Sequence, residues 1–175
     1  PIHPEVKKAM TEAMGLFGNA SSYHRFGRRS RECIEAARKN VADFIGGKPE
    51  EIIFVGSGSE ANNTVLNTMS CTSGACETCS SKKHAIVTSS IEHPCIIETS
   101  KCLQMKGDNI FYLNVDRYGK VDLKQLEIIL SEGGVRLVSV MMANNEIGTI
   151  QDIRTIADMA HRHGALVHTD AVQAI

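Results

Sequence analysis

A glycine- and serine-rich turn, GSGSEANN at residues 56–63, is the first stretch whose residue types could do chemistry. It leads from an apolar run into a helical pattern. Its backbone N–H groups, the helix dipole and the hydroxyls of Ser57 and Ser59 would therefore suit a phosphate. Many such turns serve only as turns, so the spacing by itself leaves both roles open.

Three further polar groups follow apolar runs in the same way. His93 follows the run at 84–89, and taken alone it is more typical of a surface or capping histidine. Asn145 belongs to a polar stretch in which asparagines could simply close a turn. Asp170 and Gln173 end the stretch HTDAVQ, where a carboxylate could cap a helix or hold a cationic ligand atom.

These groups point to one cofactor when they are considered as a set. Ligands of open parallel sheets bind outside the carboxyl ends of the strands, so the phosphate turn, the histidine, the amide and the acid would meet at one edge. A cofactor with a phosphate at one end and a protonated ring nitrogen at the other would use all of them. Pyridoxal phosphate fits that description.

Alternating apolar runs and helical periods predict an α/β fold of three layers with a mostly parallel sheet. The runs are short, rich in Val, Ile and Leu, and four of them show little polar alternation, as expected of strands buried on both faces. The predicted strands are 51–55, 84–89, 110–115, 135–142 and 165–170.

Helix signals lie between the apolar runs, among them Asp122 and Asp152 as N-caps. The helix at 30–45 has an apolar stripe that includes Cys33, and we expect this stripe to be buried. Cys95 and Cys102 are expected to be core thiols. The predicted helices are 4–14, 30–45, 59–69, 94–106, 122–131 and 152–163.

The composition narrows the class of protein. A formal net charge of −1 gives no reason to expect nucleic acid or an anionic membrane as a partner. No apolar run approaches the roughly 20 residues that span a bilayer, and no signal-peptide pattern is found. The six cysteines do not form a secreted disulfide pattern, which favours a cytoplasmic protein. The chain starts with Pro and stops directly after a predicted strand, so we expect a piece of a longer protein.

Five motifs resemble the NifS/IscS-type cysteine desulfurases, which are class-V, fold-type-I pyridoxal-phosphate enzymes. The resemblance covers nearly all of the chain and implies part of a pyridoxal-phosphate-dependent transferase-like large domain. Residues 1–50 would be an N-terminal helical segment leading into it, and 51–175 part of its cofactor-binding α/β region. The rest of the large domain and the small domain are expected outside the chain. The motifs are GNASSYHRFG, EIIFVGSGSEANN, IEHPCII, VSVMMANNEIGTIQDI and VHTDAVQAI.

The resemblance also implies residues that hold the two ends of the cofactor. Gly58 and Ser59 would hold its phosphate. Ser59 stands where the family usually has threonine, and it keeps the hydroxyl. Asp170 would pair with the protonated pyridine nitrogen. A carboxylate there keeps the ring positive and stabilises charge that develops at the substrate Cα.

Three more roles follow from the same resemblance. His93 would stack on the pyridine ring and assist proton transfers. Gln173 would donate a hydrogen bond to the phenolic oxygen, and Asn145 would lie between that oxygen and the substrate carboxylate. Ala20, in the GNASS loop, replaces a proline that is usual in the family.

The activity implied by the resemblance is the conversion of L-cysteine to L-alanine with formation of an enzyme persulfide. The sulfur would pass to an iron–sulfur scaffold or another acceptor protein, and the enzyme would be a homodimer. The Schiff-base lysine, the sulfur-accepting cysteine and the arginine that binds the substrate carboxylate are all expected beyond Gln173. This segment alone is therefore not expected to turn over cysteine.

Three other functions remain open at this point. A selenocysteine lyase shares much of the motif pattern, and a non-catalytic scaffold could keep the fold after losing the chemistry. A nucleotide-binding module is disfavoured. The turn at 56–61 is not G-x-G-x-x-G, and no acid ends the next strand.

A cluster of three cysteines, Cys71, Cys76 and Cys79, lies in an apparent insertion between a helix and a strand. Its C-x4-C-x2-C spacing resembles three ligands of a plant-type two-iron cluster, and His84 or a subunit partner could complete a zinc site. A surface loop with free or oxidisable thiols is the favoured alternative, and a disulfide or sulfur-relay role is the remaining one. We expect no metal site, and these cysteines are the only candidates.

Overall fold

The computed structural model describes residues 1–70 and 85–174 of the chain. The cysteine cluster at Cys71, Cys76 and Cys79, together with His84, lies outside the described residues. The chain divides into two compact units, Pro1–Phe54 and Val55–Ile175. None of the helices in the described ranges is both long and apolar enough to cross a membrane.

The first unit contains two helices, α1 (Pro4–Met14) and α2 (Arg25–Ile45), and a single helical turn at Pro49–Glu51. The prediction that α2 buries its apolar stripe is wrong. Cys33 is exposed, and Phe44 keeps 74% of its surface in water. Helical periodicity shows that a face is apolar, whereas burial needs a second element to cover that face. Within this unit no described element covers it.

The second unit is built on a four-stranded sheet in the order β2-β1-β3-β4, with every pair parallel. This confirms the predicted α/β class. The strands are β1 (Ala85–Ser89), β2 (Asn109–Leu113), β3 (Val135–Ser139) and β4 (Leu166–His168). The helices are α3 (Gly58–Met69), α4 (Pro94–Met105), α5 (Leu123–Ser131) and α6 (Ile153–Arg162).

Helices cover both faces of the sheet, which gives three layers. Ile86 of β1 packs with Leu66 of α3 and Leu103 of α4 on one face. Its neighbour Val87 faces the other side and belongs to the core that contains residues of α5 and α6, among them Leu126. Successive side chains of a strand point to opposite faces, so continuous apolar runs are needed to fill both cores.

The predicted strand at 51–55 is absent, and this prediction is corrected. Residues 52–55 make no ladder with any described strand, and the side chains of Ile53, Phe54 and Val55 are exposed. A short apolar run reads as a strand in the sequence, but a strand forms only where a neighbour accepts and donates its backbone hydrogen bonds.

Candidate active site

A cavity of about 250 Å³ opens at the carboxyl ends of the strands in the second unit. The structure brings all six sequence-predicted site residues together in its lining. Ser57, Asn62, Cys95, Met141, Ala143 and Val172 complete the wall. The six are Gly58, Ser59, His93, Asn145, Asp170 and Gln173.

The N-terminus of α3 forms one side of the cavity. The Ser57 hydroxyl caps the helix by accepting from the Glu60 N–H at 3.1 Å. The N–H groups of Gly58 and Ser59 belong to the first turn and have no acceptor within the helix, so they can donate to an anion. A Cβ on Gly58 would lie 3.0 Å from Cγ2 of Val172, so a side chain there would crowd the wall.

His93 lines the cavity and also caps a helix. It is the N-cap of α4, and its Nδ1 accepts from the Cys95 N–H at 3.2 Å. A neutral ring with an accepting Nδ1 carries its proton on Nε2. The capping role that the sequence suggested is therefore real, and it leaves Nε2 for contacts with a bound molecule.

Asp170 is held by three contacts that fix its position on the cavity wall. Its backbone carbonyl accepts from the Met142 N–H at 2.9 Å, which extends the pairing of β3 with β4. Its Oδ1 accepts from the Val172 N–H at 3.0 Å. Its Oδ2 accepts from Nδ2 of Asn62 at 2.8 Å.

Asn62 is a site residue that the sequence analysis did not single out. It is 4% exposed, and its Nδ2 also lies 3.4 Å from Sγ of Cys95. Its position one helical turn after the phosphate-type turn was the available signal. The contact with Asp170 is made across 108 residues of sequence, so the local pattern could not reveal it.

Asn145 and Gln173 are exposed on turns at the rim of the cavity. The neighbouring Asn144 is buried, and its Oδ1 accepts from the N–H groups of Glu146 and Ile147 at 2.9 and 3.0 Å. One asparagine of the pair therefore closes the turn, as the sequence suggested, and the other faces the cavity.

Two ionisable groups lie near Asp170, the buried Glu92 and the half-buried His168. Burial, with a smaller contribution from the negative charge of Asp170, raises the pKa of Glu92 to about 7, against hydrogen bonds from Ser89 and the Met141 N–H that lower it. Burial also lowers the pKa of His168, whose Nδ1 lies 2.9 Å from Oγ of Ser139. Burial therefore disfavours the charged form of both side chains behind the cavity wall.

The raised pKa of Glu92 predicts a pH dependence of stability. The folded state keeps a proton on Glu92 between pH 4.5 and about 7, whereas the unfolded state has lost it. The free energy of unfolding should therefore fall as the pH rises through this window, by about 3 kcal/mol for a shift of this size. Urea unfolding at several pH values should show a flatter profile for Glu92→Gln than for the wild type. The exposed Glu132→Gln should keep the wild-type slope, and equal slopes in all three would contradict the prediction.

The remaining histidines and cysteines form no second site in the described part of the chain. Residues 1–70 and 85–174 contain no group of three or more His, Cys, Asp or Glu that could hold a metal. His163 lies 3.1 Å from Oε1 of Glu127 at the end of α6. The expectation of two core thiols is wrong for Cys102, which is exposed, and Cys95 is half-buried at the cavity.

Comparison with known proteins decides the family. The family model of aminotransferase class V matches the chain over residues 1–175. The chain belongs to the aminotransferase class-V family. Enzymes of this family depend in general on pyridoxal phosphate.

Cysteine desulfurases are among the similar members of this family, which confirms the resemblance found in the motifs. Cysteine desulfurase IscS of Escherichia coli (strain K12 / DH10B) is 37% identical over 179 residues, which cover 100% of this chain and 43% of that protein. The solved structure of a NifS-like protein matches with a TM-score of 0.90 and 37% identity, over 99% of this chain and 47% of that one. The structure of SspA in complex with cysteine matches with a TM-score of 0.87 and 32% identity, over 99% and 48% of the two chains. The chain thus spans about half the length of the relatives it matches.

Proposed function

We propose that this chain is the cofactor-binding part of a pyridoxal-phosphate-dependent cysteine desulfurase. The observation that carries the proposal is one cavity with a free helix N-terminus on one side and a restrained carboxylate, Asp170, on another. The membership in aminotransferase class V and the similarity to cysteine desulfurases support it.

The donor set of the cavity fits pyridoxal phosphate. The N–H groups of Gly58 and Ser59, with the Ser59 hydroxyl, would hold the phosphate at the positive end of the α3 dipole. Asp170 would pair with the protonated ring nitrogen, because its two oxygens are already oriented by Asn62 and the Val172 N–H. Any side chain on Gly58 would crowd this cradle. When bound, the cofactor supplies an electron sink for charge that develops at the Cα of an amino acid.

The other cavity residues would orient the substrate and move protons. Nε2 of His93 would give or take a proton at the reacting centre, since its Nδ1 is engaged in the cap of α4. Asn145 and Gln173, both neutral at the rim, would donate hydrogen bonds to anionic oxygens of the substrate or the cofactor.

The proposed overall reaction takes L-cysteine and an acceptor thiol to L-alanine and a persulfide. The Cβ–Sγ bond of cysteine breaks, an S–S bond forms on the acceptor thiol, and the proton displaced from that thiol ends on Cβ. We propose that the acceptor cysteine and the lysine that would bind the cofactor lie in the full-length protein outside this chain. We further propose a cytoplasmic homodimer that passes sulfur to an iron–sulfur scaffold or another acceptor protein. The cysteine usage supports that compartment.

The test is made on the purified full-length protein that contains this chain. We expect visible absorption from bound pyridoxal phosphate, and alanine and persulfide sulfur in equal amounts from L-cysteine. Alanine from selenocysteine but not from cysteine would favour a selenocysteine lyase instead. The absence of both the absorption and the products would overturn the proposal and favour a non-catalytic scaffold.

Asn62 should affect cofactor binding through Asp170. Removing its amide leaves Oδ2 of Asp170 without a donor, and a hydrogen bond to a charged group contributes about 1.5–3 kcal/mol. We therefore expect Asn62→Ala to weaken pyridoxal phosphate binding by roughly tenfold or more. Titration of the cofactor-free full-length protein measures this. Asn67→Ala is the matched control, because Asn67 lies on the same helix, is exposed and donates to the Asn63 carbonyl of its own helix. Equal affinity of the Asn62→Ala protein and the wild type would exclude this role.

A further inference from the structure

Buried contacts tie the loop after β1 to the segment after β3. Glu92 is 6% exposed, and its Oε1 and Oε2 lie 2.9 and 3.1 Å from the Met141 N–H. The Ser89 hydroxyl also donates to Oε1. One residue earlier, the Ile91 carbonyl accepts from Nδ2 of Asn144 at 2.9 Å. Two adjacent residues of one loop are thus bound to the other segment.

Each of these segments carries a residue that faces the cavity. His93 follows Glu92 directly, and Asn145 follows Asn144 directly. Interior packing allows little independent movement of such linked backbone segments. The contacts of Glu92 therefore fix the distance between the two parts of the cavity wall that present His93 and Asn145.

A purely structural hydrogen bond at this buried position would not require a carboxylate side chain. Among the described residues, no ion pair is made to Glu92, so its charge is taken up by the Met141 N–H and the Ser89 hydroxyl. A neutral polar residue would avoid the cost of burying this charge. An ionised carboxylate offers acceptors on both oxygens, which a glutamine cannot do.

We propose that Glu92 is a positioning residue that locks the segment carrying Asn145 against the loop carrying His93. The importance of those two residues rests on the proposed function, whereas the lock itself is a property of this chain. Asn144 contributes the second contact of the same lock through the Ile91 carbonyl.

The lock should weaken as the pH rises towards and through 7, because the closed loop keeps a proton on Glu92 that the opened, solvated loop has already lost. Asp170 is the charged group that faces Glu92, and its charge opposes ionisation, as burial does. Below about pH 7 the buried carboxyl keeps its proton, and its other oxygen still accepts from the Met141 N–H. Above pH 7 the closed state buries a negative charge beside Asp170, so opening the loop costs less free energy. A residue that only fills space would show no such dependence.

Hydrogen exchange on the cofactor-free full-length protein tests the lock directly. Peptides that span 140–146 and 90–95 report it, with protection expressed relative to the unstructured rate at each pH. We expect the wild type to be more protected at pH 6 than at pH 8, and Glu92→Gln to lose this difference. Glu92→Ala should lose roughly tenfold in protection, as expected for the loss of about 1.4 kcal/mol. Glu132→Gln is the control and should match the wild type.

Pyridoxal phosphate titration of the same proteins links the lock to the site. We expect Glu92→Ala to bind the cofactor roughly tenfold more weakly than the wild type, and Glu92→Gln to lie between them. Unchanged protection in both variants, or unchanged affinity despite lost protection, would overturn the positioning role. If Glu92→Ala does not fold, the pH dependence of the isosteric Glu92→Gln decides. A wild type that shows the lock but binds no pyridoxal phosphate refutes only the proposed function.

Discussion

Replacing Asp170 with asparagine in the full-length protein should lower the rate of alanine formation from L-cysteine by about 100-fold or more. The substitution keeps the shape of the side chain and an acceptor oxygen, but it removes the negative charge. A neutral amide cannot keep the ring nitrogen of the cofactor protonated as a carboxylate can. Charge that develops at the substrate Cα would then lose most of its stabilisation.

The geometry around Asp170 makes this substitution a clean test of charge. Asn62 and the Val172 N–H donate to its two oxygens, and the Met142 N–H holds its backbone. An asparagine keeps only one acceptor oxygen, so the Asn62 amide must turn its own oxygen toward the new NH2 group. With that exchange the variant should fold and retain a measurable affinity for pyridoxal phosphate. The rate of alanine formation under saturating cofactor separates lost chemistry from lost binding.

Asp158→Asn is the matched control for this experiment. Asp158 is exposed on α6, and the same chemical change there should leave the activity within about twofold of the wild type, as for most surface substitutions. An Asp170→Asn protein with near wild-type activity at saturating cofactor would contradict the assignment of Asp170 to the ring nitrogen.

The part of the fold that local patterns determine was predictable from the sequence. Asp122 and Asp152 were predicted as N-caps, and the structure shows both accepting from N–H groups of α5 and α6. The sheet was also predictable, because short apolar runs without polar alternation indicate strands that are buried on both faces of a parallel sheet. The carboxyl ends of parallel strands lie at one edge of the sheet. The candidate residues that follow these strands could therefore be predicted to lie together.

Features that depend on distant partners were not predictable. The amide of Asn62 meets Asp170 across 108 residues, and Glu92 meets the Met141 N–H across 49. Neither residue carries a local signal for its contact. The prediction for α2 failed for the same reason. The apolar period of the helix can be found in its own sequence, whereas an element that would cover its apolar face cannot. The residues that hold the site residues in place were therefore found only in the structure.

A second large effect on the rate of alanine formation is expected from His93. Substitution of His93 by asparagine removes the imidazole and with it the proton carried on Nε2. General acid–base groups of this kind contribute about 100- to 10,000-fold to the rate. We expect a loss of that order in the rate of alanine formation, while pyridoxal phosphate stays bound through Gly58, Ser59 and Asp170.

Asparagine is the informative substitution because His93 also caps α4. Its Nδ1 accepts from the Cys95 N–H, and an asparagine oxygen is well suited to replace that acceptor. His93→Asn should therefore keep the stability of the wild type, whereas His93→Ala should lose about 1 kcal/mol from the missing cap as well as the activity. His161→Asn, at an exposed position in the last turn of α6, controls for the loss of an imidazole.

The two variants of His93 distinguish proton transfer from helix capping. If capping were the whole role, His93→Asn would restore the activity that His93→Ala loses. If Nε2 moves a proton, both variants lose activity equally, and only the alanine variant unfolds at lower urea concentration. Because Asp170→Asn should weaken the electron sink and His93→Asn should leave it in place, their cofactor spectra should also differ. If His93→Asn keeps the activity that His93→Ala loses, His93 acts only as the cap of α4, which is the role that its local sequence suggested.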